Sequence, residues 1–411
     1  MNYYEKYLKY KQKYLELKNK NNMIGGGNIF IENEKKVFDK NVGKMAKKMQ
    51  KLSDKSKMIN FINISEGKKY TDKDFIDISN IKKILQQIKL HAIVNISSAE
   101  HFNIFKMKKP YINKKDIDDF INYKKLNLVY SIYNKDNKLD NSKDKIYPMH
   151  SIGKVFTGFL IMLLLEDKII TRKDIKNPLQ LDKKIINKLP EEVIKRLEET
   201  TMLDVMTHMS GLNNYLGNYF DELKKNNKEN PIEPEDFIKY IDKDVGEKGK
   251  FMYSNAGLLL CGLSVKHLYN KKNKSDKSYN EILDEYIIKP ANLKTFSITK
   301  PEGCVYNKDF RDNIMEFVNG SPAGGYWISP DDLAKFGVFI LDKVKEKPKL
   351  KKYLEEYGGE FYHNNIISHS GGLKGSNCWL TVYLKYDTSI AIMDNDGKSS
   401  KILKFALDYL S

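Results

Sequence analysis

Apolar and polar positions divide the chain into a polar, lysine-rich beginning and a longer part with the patterns of a folded protein. From about residue 60 onward, strands are predicted near both ends of this part. Residues 126–133 are rich in strand formers, and residues 379–384 and 390–393 predict a hairpin. Residues 155–165 are almost entirely apolar and predict a buried helix that starts near Ser151.

Helical patterns dominate from about residue 170 to 320, and residues 401–410 predict a closing amphipathic helix. Strands at both ends with helices between them predict a sheet assembled from both ends of the chain. The predicted fold class is therefore α/β in the broad sense (α+β). It has an antiparallel sheet flanked by helices on both faces and an inserted, mainly helical subdomain at about 170–320. The longest apolar run is too short to span a bilayer, so no transmembrane segment is predicted.

The polar beginning, residues 1–22, places tyrosine, leucine and lysine near helical spacing. It predicts a basic amphipathic leader that is either solvated, which its lysine content favours, or bound to a membrane or partner surface. Glycines at 25–27 predict a linker over 23–59, followed by the folded domain at 60–411. The leader lacks the features of a secretory signal and resembles N-terminal segments of giant DNA virus proteins. A cytoplasmic or virion-associated protein is expected.

The composition limits the function classes. The hydrophobic fraction of 41% excludes wholesale disorder. A net charge of +17 suggests nucleic-acid binding, but nearly all 71 basic residues are lysine, whereas arginine is preferred for bidentate contacts with phosphates and bases. About half of this charge lies in residues 1–58. Weak, non-specific polyanion binding by the leader therefore stays open, and a dedicated nucleic-acid function is disfavoured. The three cysteines are expected to be reduced and indicate no metal site.

The first candidate for chemistry is an S-x-x-K element at the head of the apolar run. Residues i and i+3 share a helical face, so a desolvated Lys154 can lose its proton and accept one from the Ser151 hydroxyl. Five such elements occur, beginning at Ser65, Ser79, Ser142, Ser151 and Ser297. This is about as many as chance gives. Ser151 is distinguished by the long apolar segment that follows it and would hide its lysine from water.

The second candidate is the Y-x-N element at residues 253–255. The Tyr253 phenol can relay protons, and the Asn255 amide can orient a substrate carbonyl or a lysine. A structural alternative is that Ser254 or Asn255 caps the following helix. Both interpretations can hold at once.

The third candidate begins at His369, in the sole H-x-G element of the chain. Gly371 and Gly372 let the backbone approach a ligand closely, and an N–H there can stabilise an oxyanion. A plain glycine turn is the alternative.

Other segments are interpreted as structural. Thr201 begins a capping-box pattern, and Gly211 is expected to end that short helix. Ser329 and the proline after it predict a helix start. His208 is interpreted as a structural histidine rather than a ligand or base.

The three candidate elements occur in the order seen in one family. The chain resembles the serine β-lactamase and penicillin-binding-protein-like hydrolases, in the branch of class C β-lactamases, D-alanyl-D-alanine carboxypeptidases and esterases. The resemblance covers about residues 120–411. It is carried by HSIGKVFTGFLIMLLLEDKII, TMLDVMTHMSGL, FMYSNAGLLLCGL, SPAGGYWISPDDLAKF and HSGGLKGSN.

The resemblance implies a metal-independent serine hydrolase that works through an acyl-enzyme and needs no cofactor. Its expected substrate is a small-molecule or peptide-like acyl compound with a β-lactam, ester or D-amino-acid amide or peptide bond. The implied catalytic residues are Ser151, Lys154 and Tyr253. The implied substrate-binding residues are Asn255, His369, Ser370 and Gly371. The implied oxyanion hole consists of the backbone N–H groups of Ser151 and Gly372. The sequence predicts no oligomeric state.

One departure from the family pattern concerns His369. The family's true β-lactamases carry lysine there, whose charge helps to bind the substrate carboxylate, whereas histidine is mostly neutral at pH 7. Efficient β-lactam hydrolysis is therefore not expected. The alternative function is a catalytically weak binding protein with this fold, whose leader binds nucleic acid or an anionic surface.

Overall fold

The computed structural model describes residues 114–134, 137–142, 145–224, 233–306, 319–373 and 375–409. The predicted leader at 1–22, the linker at 23–59 and the first part of the predicted domain lie outside the described residues. One compact unit contains residues 118–400, and a second takes in residues 114–117 and 401–409. No helix in the described ranges is both long and apolar enough to cross a bilayer.

Most of the described strands lie near the two ends of the described part of the chain, and helices dominate between them. The strands are β1 Leu128–Asn134, β2 Asn137–Asp140, β3 Tyr147–Pro148, β4 Trp327–Ile328, β5 Tyr362–His363, β6 Ile366–Leu373, β7 Ser376–Tyr383 and β8 Thr388–Asp394. The α-helices up to the middle of the chain are α1 Lys114–Lys124, α2 Gly153–Glu166, α3 Arg172–Lys176, α4 Lys183–Ile186, α5 Glu191–Leu197, α6 Met202–Met206 and α7 Leu216–Lys224. The later ones are α8 Asn255–Asn273, α9 Tyr279–Leu283, α10 Pro330–Glu346, α11 Pro348–Tyr357 and α12 Ser399–Tyr409. Short helices of other types occupy His150–Ile152, Pro234–Tyr240, Asp284–Ile288 and Gly359–Phe361.

Six strands form one sheet in the order β2-β1-β8-β7-β6-β5, and every neighbouring pair is antiparallel. Strand β1 pairs along its whole length with β8, from Leu128 opposite Asp394 to Asn134 opposite Thr388. The sheet is therefore built from both ends of the chain, as the pattern predicted. The predicted fold class, antiparallel sheet with helices, is confirmed.

Helix α2 forms the centre of the core because every residue from its start to Leu165 is buried. Its Phe156 stacks on Phe336 of α10 at a centroid distance of 3.7 Å. Helix α10 begins where the sequence predicted, because the Ser329 side chain accepts a hydrogen bond from the Asp332 N–H at 3.2 Å. Burial of each such phenylalanine stabilises the fold by about 1.5–3 kcal/mol.

Helix α6 begins as predicted but ends earlier. Thr201 and Asp204 form the capping box, and the helix stops at Met206. The expectation that Gly211 ends it is wrong, since His208 already has left-handed φ, at 55°. Hydrogen bonds from its side chain hold His208 in this conformation, as shown below. Gly211, with φ 72°, instead lets the loop approach Gly246, whose oxygen would lie 2.5 Å from an added Cβ.

Candidate active site

The turn His150–Ile152 continues directly into α2, and this continuity places Ser151 and Lys154 on one helical face. The Lys154 Nζ donates a hydrogen bond to the Ser151 Oγ at 3.1 Å. His150 adopts a left-handed φ of 45°, which costs of order 1–3 kcal/mol for a non-glycine residue. Its buried ring Nε2 lies 3.0 Å from the Ser376 hydroxyl of β7 and so ties the turn to the sheet. No motif in the sequence marks this role of His150.

Lys154 is only 1% exposed, and three oxygen atoms surround its ammonium group. Besides Ser151, the acceptors are the Asn255 Oδ1 and the Ala323 carbonyl oxygen, each at 2.7 Å. Burial lowers the pKa of Lys154 to about 7, against an opposing effect of the Glu360 carboxylate. A large fraction of this lysine is therefore neutral at physiological pH.

A neutral Lys154 fits the same three neighbours. Its two remaining hydrogens satisfy Asn255 and Ala323, which can only accept at these atoms. The nitrogen lone pair then faces the Ser151 hydroxyl, which can donate. The arrangement can therefore hold the lysine as a base and as its conjugate acid without moving a heavy atom.

Tyr253 is the second residue that contacts the Ser151 hydroxyl. Its hydroxyl donates a hydrogen bond to the Ser151 Oγ at 2.8 Å, and its ring lies 4.8 Å from the Lys154 Nζ. Burial of the hydroxyl and the Glu360 carboxylate both raise the pKa of Tyr253 above its usual range, although 38% of the residue is exposed. The phenol therefore keeps its proton at neutral pH and is poised to act as a donor.

The Y-x-N element serves the fold and the site together. Ser254 caps α8 by accepting a hydrogen bond from the Gly257 N–H at 2.8 Å. The cap fixes the start of the helix, where Asn255 reaches Lys154 with its oxygen and Asn214 with its Nδ2 at 3.2 Å. The structure thus shows both the helix cap and the contact of Asn255 with Lys154, whereas proton relay by Tyr253 stays a prediction.

The segment 321–325 packs against the turn His150–Ile152. Gly324 has φ 133°, and an added Cβ would lie 2.1 Å from the His150 carbonyl oxygen. The Gly325 N–H donates to that oxygen at 3.1 Å, and Ala323 supplies the acceptor for Lys154. This contribution was not predicted, although the paired glycines of SPAGG were a signal for close backbone approach.

Strand β6 passes beside the same turn. An added Cβ on Gly371 would lie 2.6 Å from the Met149 oxygen and 2.8 Å from the His150 Cβ, so only glycine fits there. Gly372 follows on the side of an open cavity that also contains Ser151. Ser370 is exposed, and its carbonyl oxygen lies 2.5 Å from the Nδ1 of His369.

His369 contacts a residue that the sequence analysis missed. Its Nε2 lies 2.9 Å from the Oε1 of Glu360, and the Nε2 of His208 lies 2.7 Å from the same atom. The His208 Nδ1 accepts from the Ser254 N–H at 3.1 Å, and the His208 ring packs on Tyr253 at a centroid distance of 4.5 Å. Glu360 thus joins β6 to the residues that position Tyr253. No motif in the sequence marks this glutamate.

An open cavity lies beside Ser151, and its lining includes Asn255 and Gly372. Several apolar, mostly aromatic residues also line it: Tyr215, Leu216, Tyr219, Phe220, Phe237 and Leu373. The site can therefore present a nucleophile, proton-transfer groups and an apolar surface to one small molecule.

The structure brings Ser151, Lys154, Tyr253 and Asn255 into one hydrogen-bonded group. It places Gly372 with Ser151 at the cavity. His369 instead bonds to Glu360 and to the Ser370 carbonyl oxygen.

Several solved structures share this fold. The octameric penicillin-binding protein homologue from Pyrococcus abyssi is 19% identical, with a TM-score of 0.54 over 73% of this chain and 77% of that one. A D-stereospecific amidohydrolase from Streptomyces sp. is 19% identical, with a TM-score of 0.52 over 67% of this chain and 92% of that one. A penicillin-binding protein from Bacillus halodurans is 16% identical, with a TM-score of 0.55 over 72% of this chain and 100% of that one. At these identities the likeness shows the fold alone.

The fold is that of β-lactamases and related transpeptidases. The model of the Beta-lactamase family matches residues 121–408, well over half of the chain. The chain therefore belongs to the β-lactamase family, whose members are serine hydrolases that act on β-lactams or D-amino acid amides. The resemblance found in the sequence is confirmed. No curated protein sequence matches the chain.

Proposed function

We propose that this protein is a serine hydrolase that forms an acyl-enzyme at Ser151. The observation that carries the proposal is the pair of hydrogen bonds to the Ser151 Oγ, from Lys154 at 3.1 Å and from Tyr253 at 2.8 Å. One partner is a lysine whose pKa is lowered to about 7, and the other is a phenol that keeps its proton. A base and an acid thus meet at one nucleophile.

In the acylation step, neutral Lys154 takes the proton of Ser151 while the Oγ attacks the substrate carbonyl carbon. The backbone N–H groups of Ser151 and Gly372 stabilise the negative charge that develops on the carbonyl oxygen. As the bond to the leaving group breaks, Tyr253 gives its proton to that group. The Lys154 ammonium then restores the proton of Tyr253, so charges and protons balance.

In the deacylation step, water attacks the acyl carbon and its proton passes to the Lys154 and Tyr253 pair. The same pair returns a proton to the Ser151 Oγ as the carboxylic acid leaves. Both residues lie within hydrogen-bond distance of that oxygen, so no further base is required. The sum of the two steps is hydrolysis of one acyl bond.

The substrate class is a small-molecule or peptide-like acyl compound with a β-lactam, ester or D-amino-acid amide bond. The aromatic residues that line the cavity favour a substrate with an apolar substituent near the scissile bond. The likeness of the fold to a D-stereospecific amidohydrolase is consistent with the amide member of this class.

The test is covalent labelling of the full chain with a fluorophosphonate, followed by mass mapping of the modified peptide. The matched control is Ser297, which begins another S-x-x-K element and whose Oγ donates to the Thr299 carbonyl oxygen at 2.6 Å. The wild type and Ser297→Ala are expected to be labelled at Ser151, and Ser151→Ala is expected to stay unlabelled. Full labelling of Ser151→Ala would refute the assignment. A wild type that neither reacts nor hydrolyses a nitrophenyl ester would favour the binding-protein alternative.

A further inference from the structure

The Glu360 carboxylate lies next to the catalytic group without touching the nucleophile. Its side chain is 16% exposed, and its Oε1 accepts from His208 at 2.7 Å and from His369 at 2.9 Å. Contact with the two histidines lowers the pKa of Glu360 well below its usual range, in spite of burial. Glu360 is therefore negatively charged at neutral pH.

The two histidines are not equivalent. His208 accepts a hydrogen bond from a backbone N–H at its Nδ1, so it is the neutral form that donates to Glu360 through its Nε2. The Nε2 of His369 faces the Oε1 of Glu360 at 2.9 Å, and its Nδ1 faces the Ser370 carbonyl oxygen at 2.5 Å, so both of its ring nitrogens already have protein partners.

The charge of Glu360 acts on the residues around the nucleophile. It contributes to the raised pKa of Tyr253, and it opposes the lowering of the pKa of Lys154 by burial. A negative charge on a substrate bound at Ser151 experiences the same field, with unfavourable sign. Both ring nitrogens of His369 already have protein partners, so this histidine cannot offset the repulsion without first breaking its hydrogen bond to Glu360.

We propose that Glu360 is a specificity-determining residue that selects acyl substrates without a carboxylate next to the scissile carbonyl. The inference rests on the proposed function because it concerns the same site. The proposal limits the substrates to neutral compounds with an apolar substituent. The aromatic residues that line the cavity can contact this substituent.

The geometry offers a conservative variant that separates charge from structure. Both histidines bond to one oxygen of Glu360, so Glu360→Gln can keep both hydrogen bonds at Oε1 while it removes the negative charge. Glu360→Asp is the matched control because it keeps the charge and shortens the side chain. If Glu360 had only a structural role, Glu360→Asp would weaken the binding of both ligands more than Glu360→Gln does.

The experiment measures binding, in the full chain carrying Ser151→Ala, so that it does not depend on turnover. Isothermal titration compares benzylpenicillin with its methyl ester, which differ only at the carboxylate. The ester is expected to bind at least tenfold more tightly than the acid. Adding Glu360→Gln is expected to strengthen acid binding about tenfold with little change for the ester, and Glu360→Asp is expected to keep the preference.

Several results would overturn the inference. These are tighter binding of the acid than of the ester before Glu360 is changed, an equal effect of Glu360→Gln on both ligands, and failure of the ester to bind. None of these outcomes bears on the nucleophile. The proposed function fails separately, if Ser151→Ala is labelled by the fluorophosphonate or hydrolyses esters as fast as the wild type.

Discussion

Two segments of this chain have the same serine-to-lysine spacing and a similar aromatic neighbour, at residues 151–154 and 297–300. In both, the lysine nitrogen lies over a tyrosine ring, 4.8 Å from the centroid in the first segment and 4.7 Å in the second. In the first segment the serine and lysine side chains are hydrogen-bonded to each other. In the second segment, the serine donates to the Thr299 carbonyl oxygen and the lysine donates to the Tyr306 hydroxyl. The spacing and the aromatic contact are therefore insufficient to produce the serine–lysine hydrogen bond.

The difference lies in the backbone and in burial. Residues 151–154 enter a helix, so the two side chains share a face. Ser297 forms an isolated β-bridge with Trp327, and its Oγ donates a hydrogen bond to the carbonyl oxygen of Thr299, two residues further along the chain. Lys154 is buried and its pKa is lowered to about 7, whereas Lys300 is half-buried and donates to the Tyr306 hydroxyl at 3.2 Å. Helix geometry and desolvation therefore distinguish the candidate active site from other segments with the same serine-to-lysine spacing.

The largest expected effect separates the two lysines. Lys154→Met is expected to lower kcat/KM for a nitrophenyl ester by roughly 10²–10⁴-fold, the scale of lost general acid–base catalysis. Lys300→Met is expected to stay within about twofold, because its lysine does not contact the nucleophile. Steady-state kinetics on both variants decide, and equal losses would remove the distinction between the segments. Circular dichroism checks that Lys154→Met still folds.

The two tyrosines provide a second comparison. Tyr253→Phe removes the hydroxyl that bonds to Ser151 and is expected to lower turnover by about a hundredfold or more. Tyr306→Phe is expected to leave turnover unchanged. If Tyr253 and Lys154 act as one unit, the double variant should be little worse than Lys154→Met alone. A wild-type rate for Tyr253→Phe across pH would reduce this residue to a packing role.

The glycines near the two segments differ in how much their replacement by alanine is expected to lower the free energy of unfolding. An added Cβ on Gly324 would collide with the His150 carbonyl oxygen, whereas Gly303, with φ 72°, has open space around it. Gly324→Ala is expected to lower the free energy of unfolding by about 3 kcal/mol or more, since both strain and overlap contribute. Gly303→Ala is expected to cost about 1–2 kcal/mol from the left-handed φ alone. Urea unfolding of both variants measures the difference, and equal costs would argue against tight packing at the nucleophile turn.

The smallest expected effect is a shift in pH dependence. The base form of Lys154 is neutral, so kcat/KM should rise with pH through the lysine pKa of about 7. The Glu360 carboxylate stabilises the ammonium form, so Glu360→Gln lowers the pKa of Lys154 and moves the rise to lower pH. Lys300→Met should leave the profile in place. A shift of the Glu360→Gln profile to higher pH would contradict the sign of this interaction.

The sequence by itself was sufficient for several features with local causes. Strand-forming residues on both sides of a turn predicted the β7–β8 hairpin, and the apolar run predicted α2. Ser329 followed by a proline predicted the start of α10. Motif order predicted the family, because blocks that are individually common become specific in combination. In each case the determining residues are close together in the chain.

Only the tertiary structure decided which side chains meet. Glu360 lies 152 positions from His208, and Ala323 lies 169 positions from Lys154, so no local pattern connects them. The left-handed φ of His208, where Gly211 was expected to end the helix, likewise depends on bonds to distant groups. The pKa of Lys154 follows from burial by the whole core. Spacing along the chain specifies a helical face, but desolvation and long-range contacts arise only when distant segments pack together.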